Sequence, residues 1–337
     1  MSERAQIEND LELFQAEWDD PSPYMTVQTS GSTGTPKQMR VLKERMRASA
    51  RLTCQFLGLK KGDTALLCMP LRYIAGKMVV VRALEWGLKL LVREPSGHPL
   101  AEPFDGDLDF AAMIPLQVYN SLQVPAERER LTRIRHLIIG GGAIDRELEA
   151  ALRPLPNRIY STYGMTETLS HVAMRRLNGP EASEYYEPFP SVQLSLSPDQ
   201  TLVIDAPLVC DGPLVTNDVV DLQPDGHFRV IGRKDNIINS GGVKIQIETV
   251  EAKLRPFLTA PFAITALPDP KFGEAIVLLT TAEATAFPPE ALDRYERPKQ
   301  ILRVEAIPMT GSGKIDRAAC RRLAIETNEC QTSKSKR

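Results

Sequence analysis

The stretch IRHLIIGGGAIDRELEAALRPLPNRIYSTYGMTET, residues 134–168, decides the fold class. It runs from an apolar strand, Ile134–Ile139, through three glycines and a helical segment to a second short strand, Arg158–Thr162. This order predicts parallel strands joined by a helix that covers one face of the sheet. Because ligands bind at the carboxyl ends of such strands, the loops after Ile139 and Thr162 are the first candidate site.

The same alternation extends towards the N-terminus and changes after Pro188. Upstream, a strand at Ala65–Met69 is followed by a helix at Ile74–Trp86 and a strand at Leu108–Ile114. After Pro188, short apolar runs separated by Pro-Asp and Pro-Asp-Gly turns predict antiparallel strands. We therefore predict an α/β fold: a large N-terminal α/β domain with parallel-rich sheets and an antiparallel β module, and a small, mobile α+β C-terminal domain.

The domain boundary follows from a polar, glycine-containing stretch near residues 233–242. Since a polar junction suits a hinge, we predict an N-terminal domain at 1–234, a hinge at 235–237 and a C-terminal domain at 238–337. The roughly 100 residues beyond the hinge are enough for a second core.

Composition excludes several classes of protein. The chain has 337 residues and a net charge of −2, which argues against nucleic-acid or membrane partners. Its five cysteines and four histidines show neither disulfide nor metal-ligand spacing. Residues 2–20 are too acidic for a leader, and no uncharged apolar run reaches the roughly 18 residues of a membrane span. We expect a cytoplasmic protein with reduced thiols, and its oligomeric state stays open, a homodimer included.

A nine-residue run near the N-terminus is rich in phosphate-binding groups: Thr29-Ser30-Gly31-Ser32-Thr33-Gly34-Thr35-Pro36-Lys37. Hydroxyls, backbone N–H groups and a lysine donate to phosphate oxygens, and glycine permits close backbone approach. The run does not fit G-x-x-x-x-G-K-[ST], so a kinase- or GTPase-like fold is disfavoured. By composition alone, a solvated linker is an equally good interpretation.

Three further motifs follow in chain order. Tyr163–Thr168 offers an aromatic face, hydroxyls and a carboxylate after a strand; Gly232–Gly242 joins the predicted domains; Ile307–Arg317 places a lysine on a glycine-rich tip. Each also has a plain structural interpretation: a solvated turn, a loop with a surface ion pair, and an exposed lysine.

In this order the four motifs resemble the adenylate-forming superfamily of acyl-CoA synthetases, peptide-synthetase adenylation domains and luciferases. The resemblance runs from Thr29 to Arg317, which is most of the chain. It implies an AMP-forming acid–thiol ligase that uses ATP and Mg²⁺ and passes the acyl group to coenzyme A.

The resemblance also assigns the nucleotide contacts. The phosphate loop would clamp the β- and γ-phosphates through Thr29, Ser30, Gly31, Ser32, Thr33, Gly34 and Lys37. The adenine would lie against Gly141, Gly142, Ala143, Tyr163 and Gly164. The ribose would be held by Asp218, in Thr216-Asn217-Asp218, and by Arg233.

Four residues take part in the implied chemistry: Thr166 contacts the α-phosphate, Glu167 binds Mg²⁺, Lys314 bridges the acid's carboxylate and the α-phosphate, and Asp235 is the hinge. The carboxylate attacks the α-phosphate in line and pyrophosphate leaves. The small domain then rotates about Asp235 and withdraws Lys314, and the thiol of coenzyme A attacks the acyl carbonyl.

The chain departs from the family pattern at three points. Typical members carry a much longer segment before the phosphate loop, so the N-terminal domain is predicted to be truncated at its start. Tyr73 replaces a histidine within Pro70–Gly76, and Asn217 replaces the glycine of a T-G-D motif. None of these departures removes a charged catalytic role.

The acid is suggested by Leu71–Met78 together with Ser170-His171, which most resemble short bacterial o-succinylbenzoate–CoA ligases of menaquinone biosynthesis. The substrate of those enzymes bears a second carboxylate, which requires donors or a cation in the pocket. Tyr73, Lys77 and His171 are the candidate acid-binding residues. A surface lysine and a satisfied buried histidine are equally good interpretations of the last two.

Three alternatives stay open. The chain is another aryl- or acyl-CoA ligase, a stand-alone adenylation enzyme that charges a carrier protein, or a non-catalytic nucleotide-binding relative. The last is disfavoured because the chain retains Lys37, Glu167, Asp218, Arg233 and Lys314.

Overall fold

The computed structural model describes residues 3–28, 38–283, 285–310 and 315–335. The chain divides into two compact units, the first comprising Met1–Ser195, Val203–Leu214 and Leu222–Arg229, and the second Leu196–Leu202, Val215–Asp221 and Val230–Arg337. The polar stretch Gly232–Gly242, which suggested the domain boundary, belongs to the second unit. The boundary at residue 234 stays a prediction.

A helix and a hairpin begin the first unit. Helix α1 (Glu3–Asp19) buries Phe14 and Trp18, which are four residues apart and so lie on one face. Strands β1 (Tyr24–Gln28) and β2 (Gln38–Leu42) pair antiparallel. The predicted phosphate loop, residues 29–37, connects these strands in the sequence and lies outside the described residues.

The centre of the first unit is a seven-stranded sheet in the order β4-β3-β5-β6-β7-β8-β9. Its strands are β3 (Thr64–Leu67), β4 (Lys89–Val92), β5 (Leu108–Met113), β6 (Ile134–Ile139), β7 (Arg158–Gly164), β8 (His171–Arg176) and β9 (Glu187–Pro188). The helices between these elements are α2 (Lys43–Leu57), α3 (Ile74–Trp86), α4 (Pro115–Gln123), α5 (Pro125–Thr132) and α6 (Arg146–Leu152). Strands β3 to β7 run parallel and β8 and β9 antiparallel, so the predicted α/β fold with a parallel-rich sheet is confirmed.

The chain reverses sharply between β7 and β8. A single 3₁₀ turn, Thr166–Thr168, is followed by buried Leu169 with φ +64°, a conformation that leucine rarely adopts. Gly164 has no room for a side chain, because an added Cβ would overlap the carbonyl oxygen of Ser170 and lie 2.5 Å from the Cα of His171. The two strands therefore approach each other as closely as the backbone permits.

Antiparallel sheets follow Pro188, as predicted. A four-stranded sheet has the order of the chain: β10 (Gln193–Leu196), β11 (Thr201–Asp205), β12 (Leu214–Leu222) and β13 (Phe228–Arg233). A five-stranded sheet follows, formed by β14 (Ile237–Ser240), β15 (Val243–Gln246), β16 (Phe262–Asp269), β17 (Gly273–Thr280) and β18 (Gln300–Arg303).

Two helices give the second unit a core on each face of the five-stranded sheet. Helix α7 (Ile247–Leu254) packs with Ile264 and Leu278, whereas α8 (Arg317–Ser335) packs with the neighbouring residues Ala263 and Val277. Successive strand residues point to opposite faces, so this alternation explains both cores. No helix in the described parts of the chain is long and apolar enough to cross a membrane.

We expect Gly164→Ala to lower the free energy of unfolding by about 1–3 kcal/mol, because the added methyl group meets backbone atoms that cannot move aside without separating β7 from β8. Urea denaturation followed by circular dichroism measures the change. Gly212→Ala is the matched control, since its Cβ would meet nothing within 4 Å. Equal stability of the two variants would contradict the proposed close approach.

Candidate active site

The glycine loop and the loop after β7 lie at one edge of the large sheet. The N–H of Gly140 donates to the carbonyl of Met113 at 3.1 Å, and Gly141 has φ +78°. A Cβ added to Gly140 would lie 2.5 Å from the hydroxyl of Thr162, so only glycine fits beside β7. Since β6 and β7 are parallel, their carboxyl ends place the predicted adenine-lining residues next to each other.

Tyr163 is held by two other aromatic rings. Its ring packs edge-on against Phe228 with centroids 4.9 Å apart and lies 5.9 Å from the ring of Tyr186. Phe228 and Tyr186 stack on each other at 5.4 Å. The predicted adenine-packing side chain therefore has a fixed orientation, and the sequence did not reveal the two supporting rings.

The turn after Tyr163 presents an exposed carboxylate. Glu167 is exposed, whereas its carbonyl accepts a hydrogen bond from the thiol of Cys210 at 3.6 Å. The N–H of Met165 donates to the hydroxyl of Thr168 at 3.0 Å and closes the turn. Thr166 is half-buried beside Glu167.

The described residues include no group of three or more His, Cys, Asp and Glu arranged to hold a metal ion. Mg²⁺ does not require such a group, because it is commonly bound by one or two carboxylates, water and the phosphates of a nucleotide. The exposed oxygens of Glu167 fit that chemistry.

In the second unit, three predicted residues share ion pairs. The guanidinium of Arg233 makes two 3.0 Å hydrogen bonds to the carboxylate of Asp235 and one of 3.4 Å to Asp218. The hydroxyl of Thr216 accepts from the N–H of Asp218 at 3.0 Å and donates to the carbonyl of Leu202 at 2.8 Å. The strand segment that resembles T-G-D therefore directs its aspartate at the arginine that precedes the predicted hinge residue.

Lys77 makes polar contacts with the N-terminal segment of the chain. Its Nζ donates to the carbonyl of Thr26 at 3.0 Å and lies 3.4 Å from the carboxylate of Glu17. These contacts link α3 to α1, which is the plain structural interpretation. Tyr73 precedes α3 and is exposed, with the guanidinium of Arg72 4.9 Å from its ring centre. An acid-binding role for Tyr73 and Lys77 stays a prediction.

His171 is buried and hydrogen-bonded on both sides. Its Nε2 lies 2.9 Å from the hydroxyl of Thr53, and its Nδ1 lies 3.2 Å from the hydroxyl of Ser170. Burial, and then the nearby charge of Arg82, hold the pKa of His171 well below its usual 6.5. The imidazole is therefore neutral at physiological pH.

The residue that sequence reasoning missed is Arg82. It is only 2% exposed, and its Nη2 donates to the hydroxyl of Ser170 at 2.7 Å. Among the described residues no carboxylate pairs with it, and its Nε has no hydrogen-bond partner. Burial lowers the pKa of Arg82 to about 10, so the guanidinium keeps its charge. The available signal was a single cation inside the apolar run Met78–Ala83.

The phosphate-loop candidates Thr29–Lys37 and the catalytic candidate Lys314 lie outside the described residues. The remaining candidates form two groups. The glycine loop, Tyr163, Glu167 and His171 belong to the first unit, and Asp218, Arg233 and Asp235 to the second.

A family comparison decides what kind of protein has this arrangement. Residues 2–208 match the family described as AMP-binding enzyme. The chain belongs to the AMP-binding enzyme family. Membership confirms the predicted resemblance and, with it, the prediction of an AMP-forming ligase.

This chain is similar to proteins of about its own length and to longer ones. An acyl-CoA synthetase (AMP-forming)/AMP-acid ligase II-like protein from Dyadobacter fermentans is 35% identical, with a TM-score of 0.66 and 92% coverage of both chains. A 2-succinylbenzoate–CoA ligase from Listeria monocytogenes is 26% identical over 89% of this chain and 70% of its own length.

A third relative shares the fold. The o-succinylbenzoate coenzyme A synthetase of Bacillus subtilis, solved with ATP and a magnesium ion, is 20% identical with a TM-score of 0.70, covering 87% of this chain and 68% of that chain. ATP and Mg²⁺, the cofactors predicted here, are both present in that structure.

We expect Asp218→Asn to weaken AMP binding about tenfold, since a hydrogen bond from a ribose hydroxyl to a charged acceptor is replaced by one to a neutral amide. Isothermal titration calorimetry measures the affinity. Asp199→Asn is the control, because Asp199 also pairs with a cation of the second unit, Lys234, at 2.6 Å. Unchanged AMP affinity in Asp218→Asn would remove this residue from the ribose site.

Proposed function

We propose that this chain is an AMP-forming acid–CoA ligase whose acid carries a second carboxylate, and that the acid is 2-succinylbenzoate. The observation that carries the proposal is the buried guanidinium of Arg82. Its Nε lacks a hydrogen-bond partner, and no carboxylate among the described residues pairs with it.

A buried cation without a counter-charge lowers stability, because it loses its hydration and gains no partner. Such a cation is tolerated where a ligand supplies the missing charge, and arginine suits carboxylates because its planar fork matches their two oxygens. A substrate carboxylate at Nε would supply both the acceptor and the negative charge.

The position of Arg82 supports binding of the acid in particular. It lies on α3, which begins directly after Pro70–Tyr73, the segment predicted to line the acid pocket. Its Nη2 bonds Ser170, which follows the Thr166–Glu167 turn by three residues. Arg82 therefore connects the predicted acid segment with the predicted α-phosphate and Mg²⁺ residues.

The relatives support the choice of 2-succinylbenzoate. Curated relatives from Listeria monocytogenes and Bacillus cereus, both 26% identical, have the name 2-succinylbenzoate–CoA ligase. That acid has an aromatic carboxylate in addition to the succinyl carboxylate that is activated. With this substrate the chain would act in menaquinone biosynthesis.

In the proposed first step, Arg82 holds the ring carboxylate and leaves the succinyl carboxylate facing the nucleotide. An oxygen of the succinyl carboxylate attacks the α-phosphorus, the bond to the β-phosphate breaks and pyrophosphate leaves. Lys314 and the phosphate-loop donors neutralise the charge that develops, and Thr166 contacts the α-phosphate. Glu167 would hold Mg²⁺, which when bound reduces repulsion among the phosphate oxygens.

In the second step the sulfur of coenzyme A attacks the acyl carbonyl carbon. The carbon–oxygen bond to AMP breaks, and the thiol proton passes to solvent. Asp218 and Arg233 hold the ribose, and rotation at Asp235 exchanges Lys314 for the thiol. This rotation explains how one site serves two reactions with different requirements for charge.

Two acids that differ by one group test the role of Arg82. We expect pyrophosphate release with 2-succinylbenzoate at a KM about 10- to 100-fold below that of 4-oxo-4-phenylbutanoate, the same molecule without the ring carboxylate. We expect Arg82→Met to equalise the two KM values and to leave the thermal midpoint unchanged or higher, because an unpaired buried charge is removed.

The outcomes of that experiment separate the alternatives. Pyrophosphate release with other acids but without preference for a second carboxylate would indicate a different acid–CoA ligase. Pyrophosphate release without formation of a coenzyme A thioester would indicate that a carrier protein accepts the acyl group in place of coenzyme A. A preference for 2-succinylbenzoate that survives in Arg82→Met would exclude Arg82 from the acid site.

The role of Lys314 is tested by separating the half-reactions. We expect Lys314→Ala to reduce pyrophosphate release by at least about 100-fold, because it removes a charge that stabilises the first transition state. Thioester formation from supplied 2-succinylbenzoyl-adenylate should remain near the wild-type rate. Lys299→Ala, a cation paired with Asp269 at 3.0 Å, is the control. Equal loss of both half-reactions would contradict the exchange of Lys314 for the thiol.

A further inference from the structure

We propose that Thr53, His171 and Ser170 form a directed hydrogen-bond chain that positions Arg82 for the second carboxylate of the acid. The inference rests on the proposed function of Arg82 and assigns His171 a positioning role in place of direct contact with the acid. It also predicts one particular tautomer of His171.

The hydrogen-bond chain joins three elements of the first unit, α3, β8 and α2. Nη2 of Arg82, on α3, donates to the hydroxyl of Ser170 at 2.7 Å, and that hydroxyl lies 3.2 Å from Nδ1 of His171 on β8. Nε2 of His171 lies 2.9 Å from the hydroxyl of Thr53 on α2, which donates to the carbonyl of Ser49 at 3.2 Å. An unbroken path of five groups therefore leads from a helix backbone to the guanidinium.

The direction of each hydrogen bond follows from the number of protons that each side chain can donate. Arginine only donates, so the Ser170 oxygen accepts from Arg82 and its proton is available for Nδ1 of His171. The hydroxyl proton of Thr53 is used by Ser49, so its oxygen accepts from a proton on Nε2 of His171. The other tautomer would leave the Ser170 proton without an acceptor in this chain and would make Thr53 choose between two acceptors.

Burial increases the energetic preference for the Nε2-protonated tautomer of His171. Thr53 is fully buried, His171 is 7% exposed and Arg82 is 2% exposed, so an unmade hydrogen bond in the chain has little access to water. The ring of Phe189 packs edge-on against His171 at 5.6 Å and limits rotation of the imidazole. The chain consequently has one favourable arrangement.

The Arg82 end of the hydrogen-bond chain has one donor without a partner, which suggests a role in ligand binding. Every polar group from Ser49 to Nη2 of Arg82 has a partner, whereas Nε of Arg82 has none. A purely structural network would be expected to end on a satisfied group. Here Nη2 of the guanidinium is held by Ser170, and the adjacent N–H of Nε is the donor left without a partner. Fixing a long side chain before the acid arrives reduces the entropy lost on binding.

The first test reads the tautomer directly in the unmodified protein. Long-range ¹H–¹⁵N correlation spectra should give His171 a pyrrole-like Nε2 and a pyridine-like Nδ1 at neutral pH, with the resonance assigned by its loss in His171→Gln. A proton on Nδ1, or a doubly protonated ring, would overturn the directed chain.

The second test uses Thr53→Val, which removes the hydroxyl at the far end without touching Arg82. We expect KM for 2-succinylbenzoate to rise about 3- to 10-fold, with KM for ATP and for 4-oxo-4-phenylbutanoate unchanged, since only binding of the second carboxylate needs the oriented guanidinium. Ser170→Ala should give a larger effect on the same KM. Thr265→Val, the same substitution at a buried threonine of the second unit, is the control.

Three results distinguish this inference from the proposed function. If Arg82→Met abolishes the preference for 2-succinylbenzoate but Thr53→Val and Ser170→Ala do not, Arg82 binds the acid without the chain and the inference fails. If none of the three variants changes the preference, the proposed function of Arg82 fails. If Thr53→Val raises the KM of every substrate alike, its effect is structural and the positioning role is overturned.

Discussion

The parallel pairing of β6 and β7 is the contact on which the rest of the site depends. It brings the glycine loop and the Tyr163 turn to one edge of the sheet, because the carboxyl ends of paired parallel strands meet there. The pairing tolerates only glycine at position 140, since any Cβ would meet Thr162. The sharp return into β8 then carries Ser170 and His171 back beneath the same edge, where α2 and α3 supply their partners.

In the proposed function, stability and function oppose each other at Arg82. A folded protein has a small net free energy of unfolding, so an unpaired buried charge is not a neutral feature. The surrounding helix is apolar from Met78 to Val81, and a methionine at position 82 would match it. A residue that weakens the fold and has one unsatisfied donor is better explained by a ligand than by packing.

The elements predicted with their observed bounds were those with strong local signals. Ile74–Trp86 and Ile134–Ile139 are rich in apolar residues and each is followed directly by glycine, so local pattern was sufficient. Strand β8, His171–Arg176, was not predicted, because its ends are polar and only its partners β7 and β9 reveal it. For the site, motif order predicted the candidate residues. The missing counter-charge of Arg82 could not be read from the sequence, because an ion pair forms between residues far apart in the chain.

Arg233 binds two carboxylates that have been assigned different tasks. Asp218 is proposed for the ribose site and Asp235 is the predicted pivot, yet one guanidinium joins them. A change of backbone angles at residue 235 would alter the geometry of its bidentate pair with Arg233, and the arginine would then redistribute towards Asp218, nucleotide or water. Substitutions of Asp235 would accordingly change nucleotide affinity as well as domain motion. A kinetic study that interprets such variants only as changes in domain motion would attribute the altered nucleotide affinity to the motion.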